Sequence, residues 1–218
     1  MIKLNLGCGS VRPVGWVNTD SSLNANLQRI PIIGKSVAKF FNPVTYESSN
    51  FKYMNLNKKW KYNSNTVDIV YASHLFEHLT QKSADLFLKE SFRVLKPGGV
   101  MRIVVPDLYQ IVKKYLNEFD TFSANEDPSE FVMWAINMHR EGQYREPGVI
   151  RKIIHEWQGY PHQHKFMYDP KSLTHKVLKY GFKEPKLSSY GISEYISEIA
   201  DVEGKSESYL SVYLEVKK

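Results

Sequence analysis

Residues 74–78 read His-Leu-Phe-Glu-His, and a helical turn there would put His74, Glu77 and His78 on one face. Imidazoles beside a carboxylate can move a proton or supply ligands to a divalent cation. A second chemical group opens the chain. Gly7-Cys8-Gly9 follows the apolar run Ile2-Lys3-Leu4-Asn5-Leu6, and glycines directly after a strand let the backbone turn tightly and come close to a bound nucleotide. Trp16-Val17-Asn18-Thr19 reads as the next strand and ends in Asp20, where a carboxylate can accept from the two hydroxyls of a ribose. The dinucleotide fingerprint asks for a third glycine, and Val11-Arg12-Pro13 supplies none. The bland alternative is a strand followed by an ordinary glycine turn. A third cluster is His155, His162 and His164 with Trp157, Gly159 and Tyr160. It reads either as a polar loop over a sheet edge or as a substrate pocket, because aromatic faces suit sugars and flat rings. His139 and His175 fall on helical patterns and read as surface or packed.

The elements that must position these groups alternate. Strand-like runs cover 2–6, 16–19, 51–56, 67–73, 100–105, 186–190 and 209–217. Thr80 can cap a helix whose Ala84, Phe87, Leu88, Phe92 and Leu95 recur at helical spacing, and Pro97-Gly98-Gly99 must end it. Val100 to Val105 is apolar and rich in β-branched residues, as expected of a central parallel strand covered on both faces. Asp169 caps a further helix with Pro170 at its first position, Leu173, Val177 and Leu178 facing inward and Gly181 closing it. The two last strands lack a full crossover helix between them and are expected antiparallel. The pattern is α/β: a Rossmann-like doubly wound sheet of about seven strands, mostly parallel with an antiparallel last strand. Residues 107–165 read as a helical insertion beside the carboxyl ends of the strands. Asp107 caps a helix with Leu108, Ile111, Val112, Tyr115, Leu116 and Phe119 on one face, and Asp127-Pro128 starts a second. Residues 21–50 form another irregular insertion, a candidate lid, and the expected organisation is one domain over 1–218.

Composition narrows the class. Hydrophobic residues at 42% and charged residues at 24% fit a globular protein, and no run approaches a membrane span. One cysteine excludes an internal disulfide framework, and without a basic-then-apolar leader the expected location is cytoplasmic. The net charge of +6 is spread among acids. Lys58-Lys59-Trp60-Lys61-Tyr62 alone interleaves basic and aromatic residues, so nucleic acid is not the expected partner and a small anionic or sugar substrate is. Oligomeric state leaves no trace in the sequence.

Four segments together resemble the class I S-adenosylmethionine-dependent methyltransferases: Leu4-Asn5-Leu6-Gly7-Cys8-Gly9, Asp20, Thr66 to Ser73, and Ser91-Phe92-Arg93-Val94-Leu95-Lys96-Pro97-Gly98-Gly99. Gly15-Trp16-Val17-Asn18-Thr19-Asp20, His74 to Leu79 and His164 to Asp169 further resemble small members associated with surface-glycan biosynthesis. The resemblance implies a methyltransferase using S-adenosylmethionine, with O-methylation of a sugar or other polar small molecule as the expected reaction. It implies cofactor contacts from Asn5, Leu6, Gly7, Cys8, Gly9, Asp20, Asn55, Leu56, Ser73 and His74. Catalytic candidates are His74, Glu77 and His164; substrate candidates are Asp107, His155 and His162. Asp107 reads first as a helix cap and Cys8 as a small packed residue. No metal is expected. His74, Glu77 and His78 would hold a divalent cation if one is used, since that segment also resembles some cation-dependent quinone O-methyltransferases; a bracing hydrogen bond between Glu77 and His78 is the other reading.

The chain departs from the family pattern in three places. Asn5 stands where many members carry an acid, Asn55 stands where an aspartate often precedes leucine, and residues 7–15 are too few for a crossover helix. A stunted turn is expected there. Two other classes compete. A nicotinamide-dependent oxidoreductase or epimerase is disfavoured by the missing glycine and the antiparallel end of the sheet. His-x-x-Glu-His also matches an inverted zinc-peptidase motif, which needs one long helix. A non-catalytic or nucleic-acid-binding relative is the remaining alternative.

Overall fold

Strand β4 (Val67–Ser73) shows why the sheet forms. Its side chains alternate between two apolar layers: Val67, Val70 and Ala72 enter one, Ile69 and Tyr71 the other. Both faces are therefore covered, as a parallel strand requires. The computed structural model describes residues 1–21, 51–121, 128–136, 163–203 and 210–218. Around β4 stand β1 (Lys3–Leu6), β2 (Val17–Asp20), β3 (Phe51–Tyr53), β5 (Leu95–Pro106), β6 (Lys183–Ser188) and β7 (Ser211–Lys217). The sheet order is β3-β2-β1-β4-β5-β7-β6. Strands β1 to β5 pair in parallel, whereas β7 is antiparallel to both β5 and β6. The seven-stranded, mostly parallel sheet with an antiparallel last strand is thus present.

Five helices are described: α1 (Gln81–Val94), α2 (Leu108–Glu118), α3 (Pro128–Ala135), α4 (Pro170–Leu178) and α5 (Ile199–Glu203). Thr80 Oγ1 accepts from the Ser83 N–H at 3.2 Å and starts α1. Helix α1 stops at Val94, before the proline, because Pro97 disfavours a helical Lys96. The next strand therefore begins at Leu95, five residues earlier than the pattern suggested, and Pro97-Gly98-Gly99 lies inside β5 where its register against β4 slips. A β-carbon on Gly99 would meet the Lys96 carbonyl oxygen at 2.9 Å, so the slip demands glycine. The Asp169 carboxylate caps α4 through the Lys171 and Ser172 N–H groups, with Ser172 completing a capping box. Lys176 on α4 reaches Gln81 and Asp85 of α1, both at 2.8 Å, so the two helices lie side by side over one face of the sheet.

One packing expectation needs correction, and one helix face proves more open than buried. Leu178 is 42% exposed, because Leu173 and Val177 alone occupy the inward face of the short α4. On α2, Ile111 is the buried residue, while Val112 and Leu116 are 44% and 65% exposed and Phe119, just past the helix, is 51% exposed. Helix α2 contacts α3, where Lys114 Nζ sits 5.7 Å from the Phe131 ring. Within 107–165, helix is described over Leu108–Glu118 and Pro128–Ala135. The candidate lid lies outside the described residues from residue 22 onward, as do Asp127 and His139.

Candidate functional site

The carboxyl ends of β1, β2 and β4 converge on one end of the sheet, and the glycine segment leaves from β1. Gly7 has φ +66°, and a β-carbon there would meet the Leu75 side chain at 3.0 Å. Residues 7–15 contain no helix; they fold as the short turn that the spacing required. Side chains hold it. Asn5 is buried and donates from Nδ2 to the Val11 carbonyl and to Asn18 Oδ1, both at 2.9 Å. Asn18 in turn donates to the Pro13 and Trp16 carbonyls. The Asn5 amide is thus spent on bracing the loop. Leu6 is wholly buried in the core, so its backbone is the part at the sheet end. Arg12 donates from Nε and Nη2 to the Gly9 carbonyl, at 3.1 and 3.0 Å. Neither Asn18 nor Arg12 stood out in the sequence, although an asparagine inside an apolar strand is a signal of buried hydrogen bonding.

Asp20 ends β2, and its Oδ2 accepts the Gly9 N–H at 3.2 Å. The carboxylate and the glycine turn are therefore one unit. The Asp20 carbonyl accepts the Met54 N–H, which brings the exit of β3 alongside. Asn55 follows, half-buried, with Oδ1 accepting the Asn57 N–H, and Leu56 is buried in the core. Cys8 is buried, and desolvation, then the charge of Asp20, push its thiol up to about 11 against the opposing Arg12. A thiol so held is no nucleophile at neutral pH.

The second half of the site begins where β4 ends. Ser73 closes the strand, and His74 takes a left-handed backbone with φ +47°. That conformation is uncommon outside glycine and concentrates where structure over-determines it. Phe76–His78 form a single 3-10 turn, anchored by Phe76 packing against Phe87 and Tyr168 at centroid distances of 5.4 and 5.2 Å. The turn excludes the long helix of a zinc peptidase. It directs Glu77 inward, wholly buried, with neither carboxylate oxygen receiving a hydrogen bond. Three imidazoles face Glu77 Oε1: His74 Nδ1 at 3.4 Å, His78 Nε2 at 3.9 Å and His164 Nε2 at 3.9 Å.

His164 arrives from far along the chain. The Lys165 and Phe166 N–H groups both donate to the Glu77 carbonyl, at 2.7 and 3.2 Å, and the Tyr168 carbonyl accepts the Leu108 N–H. These bonds return residues 163–169 to the sheet end. Burial drives the His164 pKa down to about 4; the Glu77 charge opposes that shift, and His164 is neutral at pH 7. His78 Nδ1 donates to the Gln163 carbonyl at 3.2 Å, and its Nε2 is the nitrogen that faces Glu77. His74 is the exposed member, and Ser211 Oγ lies 3.4 Å from its Nε2.

Asp107 is buried at the start of α2, where its Oδ1 accepts the Tyr109 and Gln110 N–H groups at 2.9 and 3.2 Å. Desolvation raises its pKa despite those two bonds. His155 and His162 lie outside the described residues, whereas His175 is exposed on α4. Trp60 is buried against Phe87 and gives its backbone N–H to Glu90, so the Lys58–Tyr62 run offers no open indole for stacking on a base.

Comparison with known proteins agrees with this architecture. Residues 4–103 match a family model described as a methyltransferase domain. A Thermotoga maritima S-adenosylmethionine-dependent methyltransferase, described as a possible histamine N-methyltransferase, superposes with a TM-score of 0.51 at 14% identity, covering 100% of this chain and 82% of that one. An S-adenosylmethionine-dependent methyltransferase from Archaeoglobus fulgidus gives 0.51 at 15% identity, covering 100% and 86%. No curated protein matches the sequence. The glycine turn, Asp20 and β4 all lie within the span that resembles the methyltransferase domain model, and the chain shares the fold of these S-adenosylmethionine-dependent methyltransferases.

Proposed function

We propose that the chain transfers the methyl of S-adenosylmethionine to a hydroxyl of a sugar or other polar small molecule, with His74 as general base. The observation that carries this reading is His74 itself. It is held at the end of β4 at φ +47°, with Nδ1 3.4 Å from the buried carboxylate of Glu77 and its other nitrogen on the exposed side. A sulfonium methyl is already activated, so the protein must align donor and acceptor and exclude water. A hydroxyl acceptor gains from a base, whereas a carboxylate acceptor needs none.

The glycine turn would admit the cofactor close to the backbone, with Asp20 toward the ribose hydroxyls, Asn55 and Leu56 near the adenine and Ser73 beneath the sulfonium. His74 Nε2 would take the acceptor proton as the acceptor oxygen bonds to the methyl carbon. The carbon–sulfur bond would break with its electron pair on sulfur, releasing S-adenosylhomocysteine. Glu77 would stabilise the imidazolium formed on His74, the part a buried carboxylate plays beside a catalytic histidine. Asp107, His155 and His162 remain the candidates for the acceptor side.

Calorimetric titration with S-adenosylhomocysteine, with NAD as control, tests the cofactor assignment. Wild type and His74→Gln should bind the homocysteine product, and Asp20→Ala should bind it at least tenfold more weakly, one lost hydrogen bond to a charged group being worth about 1.5–3 kcal/mol. Binding of NAD without S-adenosylhomocysteine would replace this reading with the oxidoreductase.

A further inference from the structure

Glu77, His78 and His164 point their ligand atoms at one place. One carboxylate oxygen and two imidazole nitrogens all lie within 4.8 Å of one another. Glu77 is wholly buried and neither of its oxygens receives a hydrogen bond, a state that costs free energy unless a cation answers it. The nearby imidazoles give a partial answer at best, standing 3.4–3.9 Å from Oε1. We infer that Glu77, His78 and His164 form a binding site for one divalent transition-metal ion, of the zinc, cobalt or iron class.

The donor set fits that class. Two imidazoles and one carboxylate suit zinc or iron, whereas magnesium and calcium prefer oxygen ligands alone. Ligands at about 2.0–2.2 Å in a tetrahedron stand about 3.3–3.5 Å from one another. The 3.9 Å separations of His78 Nε2 and His164 Nε2 from Glu77 Oε1 exceed that spacing by about half an ångström, and no pair of the three exceeds 4.8 Å, so side-chain movements of up to about 1.5 Å would close the site. The outer contacts are also in place. A metal-bound histidine commonly donates its other ring N–H to a backbone carbonyl, and His78 Nδ1 does so to Gln163. Glu77 is fixed by its own backbone, whose carbonyl holds the Lys165 and Phe166 N–H groups and so ties the His164 segment to it. The trio differs from the one expected from spacing alone, since His164 replaces the more exposed His74.

Three protein ligands leave a fourth position open, as catalytic zinc sites do. The use of that position rests on the methyl-transfer reading above: the acceptor hydroxyl oxygen would take it, its proton would pass to His74, and the oxygen would then bond to the methyl carbon with sulfur as leaving group. The ion would add Lewis-acid stabilisation of the developing alkoxide.

The test is a titration of chelator-treated protein with Co(II), followed by visible absorption and then by competition with Zn(II), on wild type, His164→Ala and His78→Gln. The same preparations are titrated with S-adenosylhomocysteine. One equivalent of Co(II) should bind with the intense ligand-field bands of a low-coordinate site, and Zn(II) should displace it. Each variant should lose at least about a hundredfold in metal affinity, more than loss of an outer-shell contact costs, while binding S-adenosylhomocysteine like wild type. If His164→Ala does not fold, His78→Gln, altered at a partly exposed side chain, carries the comparison. Absence of stoichiometric Co(II) binding, or equal binding in folded variants, would overturn the metal site and leave the methyltransferase reading intact. Variant-sensitive Co(II) binding without any S-adenosylhomocysteine binding would uphold the metal centre and overturn its role in methyl transfer.

Discussion

Arg102 tests the other face of the sheet. Its guanidinium, on β5, is wholly buried and lies 5.3 Å from the Tyr213 ring centroid. It meets Glu203 Oε1 at 2.7 Å and Glu215 Oε1 at 2.9 Å, and donates to Ser188 Oγ and to the Ser189 and Ile192 carbonyls. One side chain thus ties β5, β6, β7, α5 and the loop between β6 and α5. Both glutamates are buried, with side chains 2% and 1% exposed. Arg102→Met keeps much of the volume and removes the cation, leaving two buried carboxylates facing one another. Breaking a buried pair from one side costs about 3–5 kcal/mol, against a total of about 5–15 kcal/mol for a domain. For a chain of this size the midpoint of thermal unfolding should fall by about 6–20 °C. Urea unfolding followed by far-ultraviolet circular dichroism measures the loss. Adding Glu203→Gln and Glu215→Leu removes the uncompensated charges, keeps an acceptor for the Gly191 N–H, and should restore most of it. A loss below about 1 kcal/mol in Arg102→Met, or a triple variant no better than the single, would refute the reasoning.

Two further predictions concern the site's frame. Cys8, with its pKa pushed up to about 11, should react with a disulfide reagent at pH 8 about a hundredfold more slowly in the folded protein than after denaturation; equal rates would refute the burial that raises it. Asp107→Ala should cost about 1 kcal/mol by removing the cap of α2, whereas Asp107→Asn should keep the cap. Because burial raises the Asp107 pKa, its carboxyl binds protons more readily folded than unfolded. Its contribution to stability is therefore full below the ordinary carboxylate range and is lost as pH rises through the folded value. Asp107→Asn should accordingly equal or exceed wild type at pH 7 and lose that advantage toward pH 4, as urea titrations at the two pH values would show.

The sheet was legible in the sequence because each strand announces itself locally. Leu4, Leu6, Val67 and the run from Ile69 to Ala72 are apolar where the sheet buries them, and Thr80 and Asp169 cap the helices that their spacing requires. Local signals fail where a contact is long-range. Asn5 reads as a cofactor contact from where it stands in the glycine motif, and the fold adds a second part for it: its amide donates to Asn18 and Val11, partners that only the folding of residues 7–15 brings within reach. The start of β5 was misplaced for a related reason: the proline and glycines that end a helix also permit a strand whose register slips, and pairing with β4 decides between the two. His164, which the resemblance already offers beside His74 and Glu77, shows what the fold adds to spacing. Spacing within residues 74–78 groups His74 with Glu77, while the fold adds a third imidazole through two backbone bonds to the Glu77 carbonyl. A buried carboxylate with three histidines around it could not be inferred from any one segment, because no segment contains more than part of it. The two proposed roles differ in burial. His74 is 42% exposed at its side chain and His164 is 9% exposed. A proton acceptor must reach its substrate and a ligand need only stay in place, so the proposed base and the proposed metal-holding residues would divide along that line.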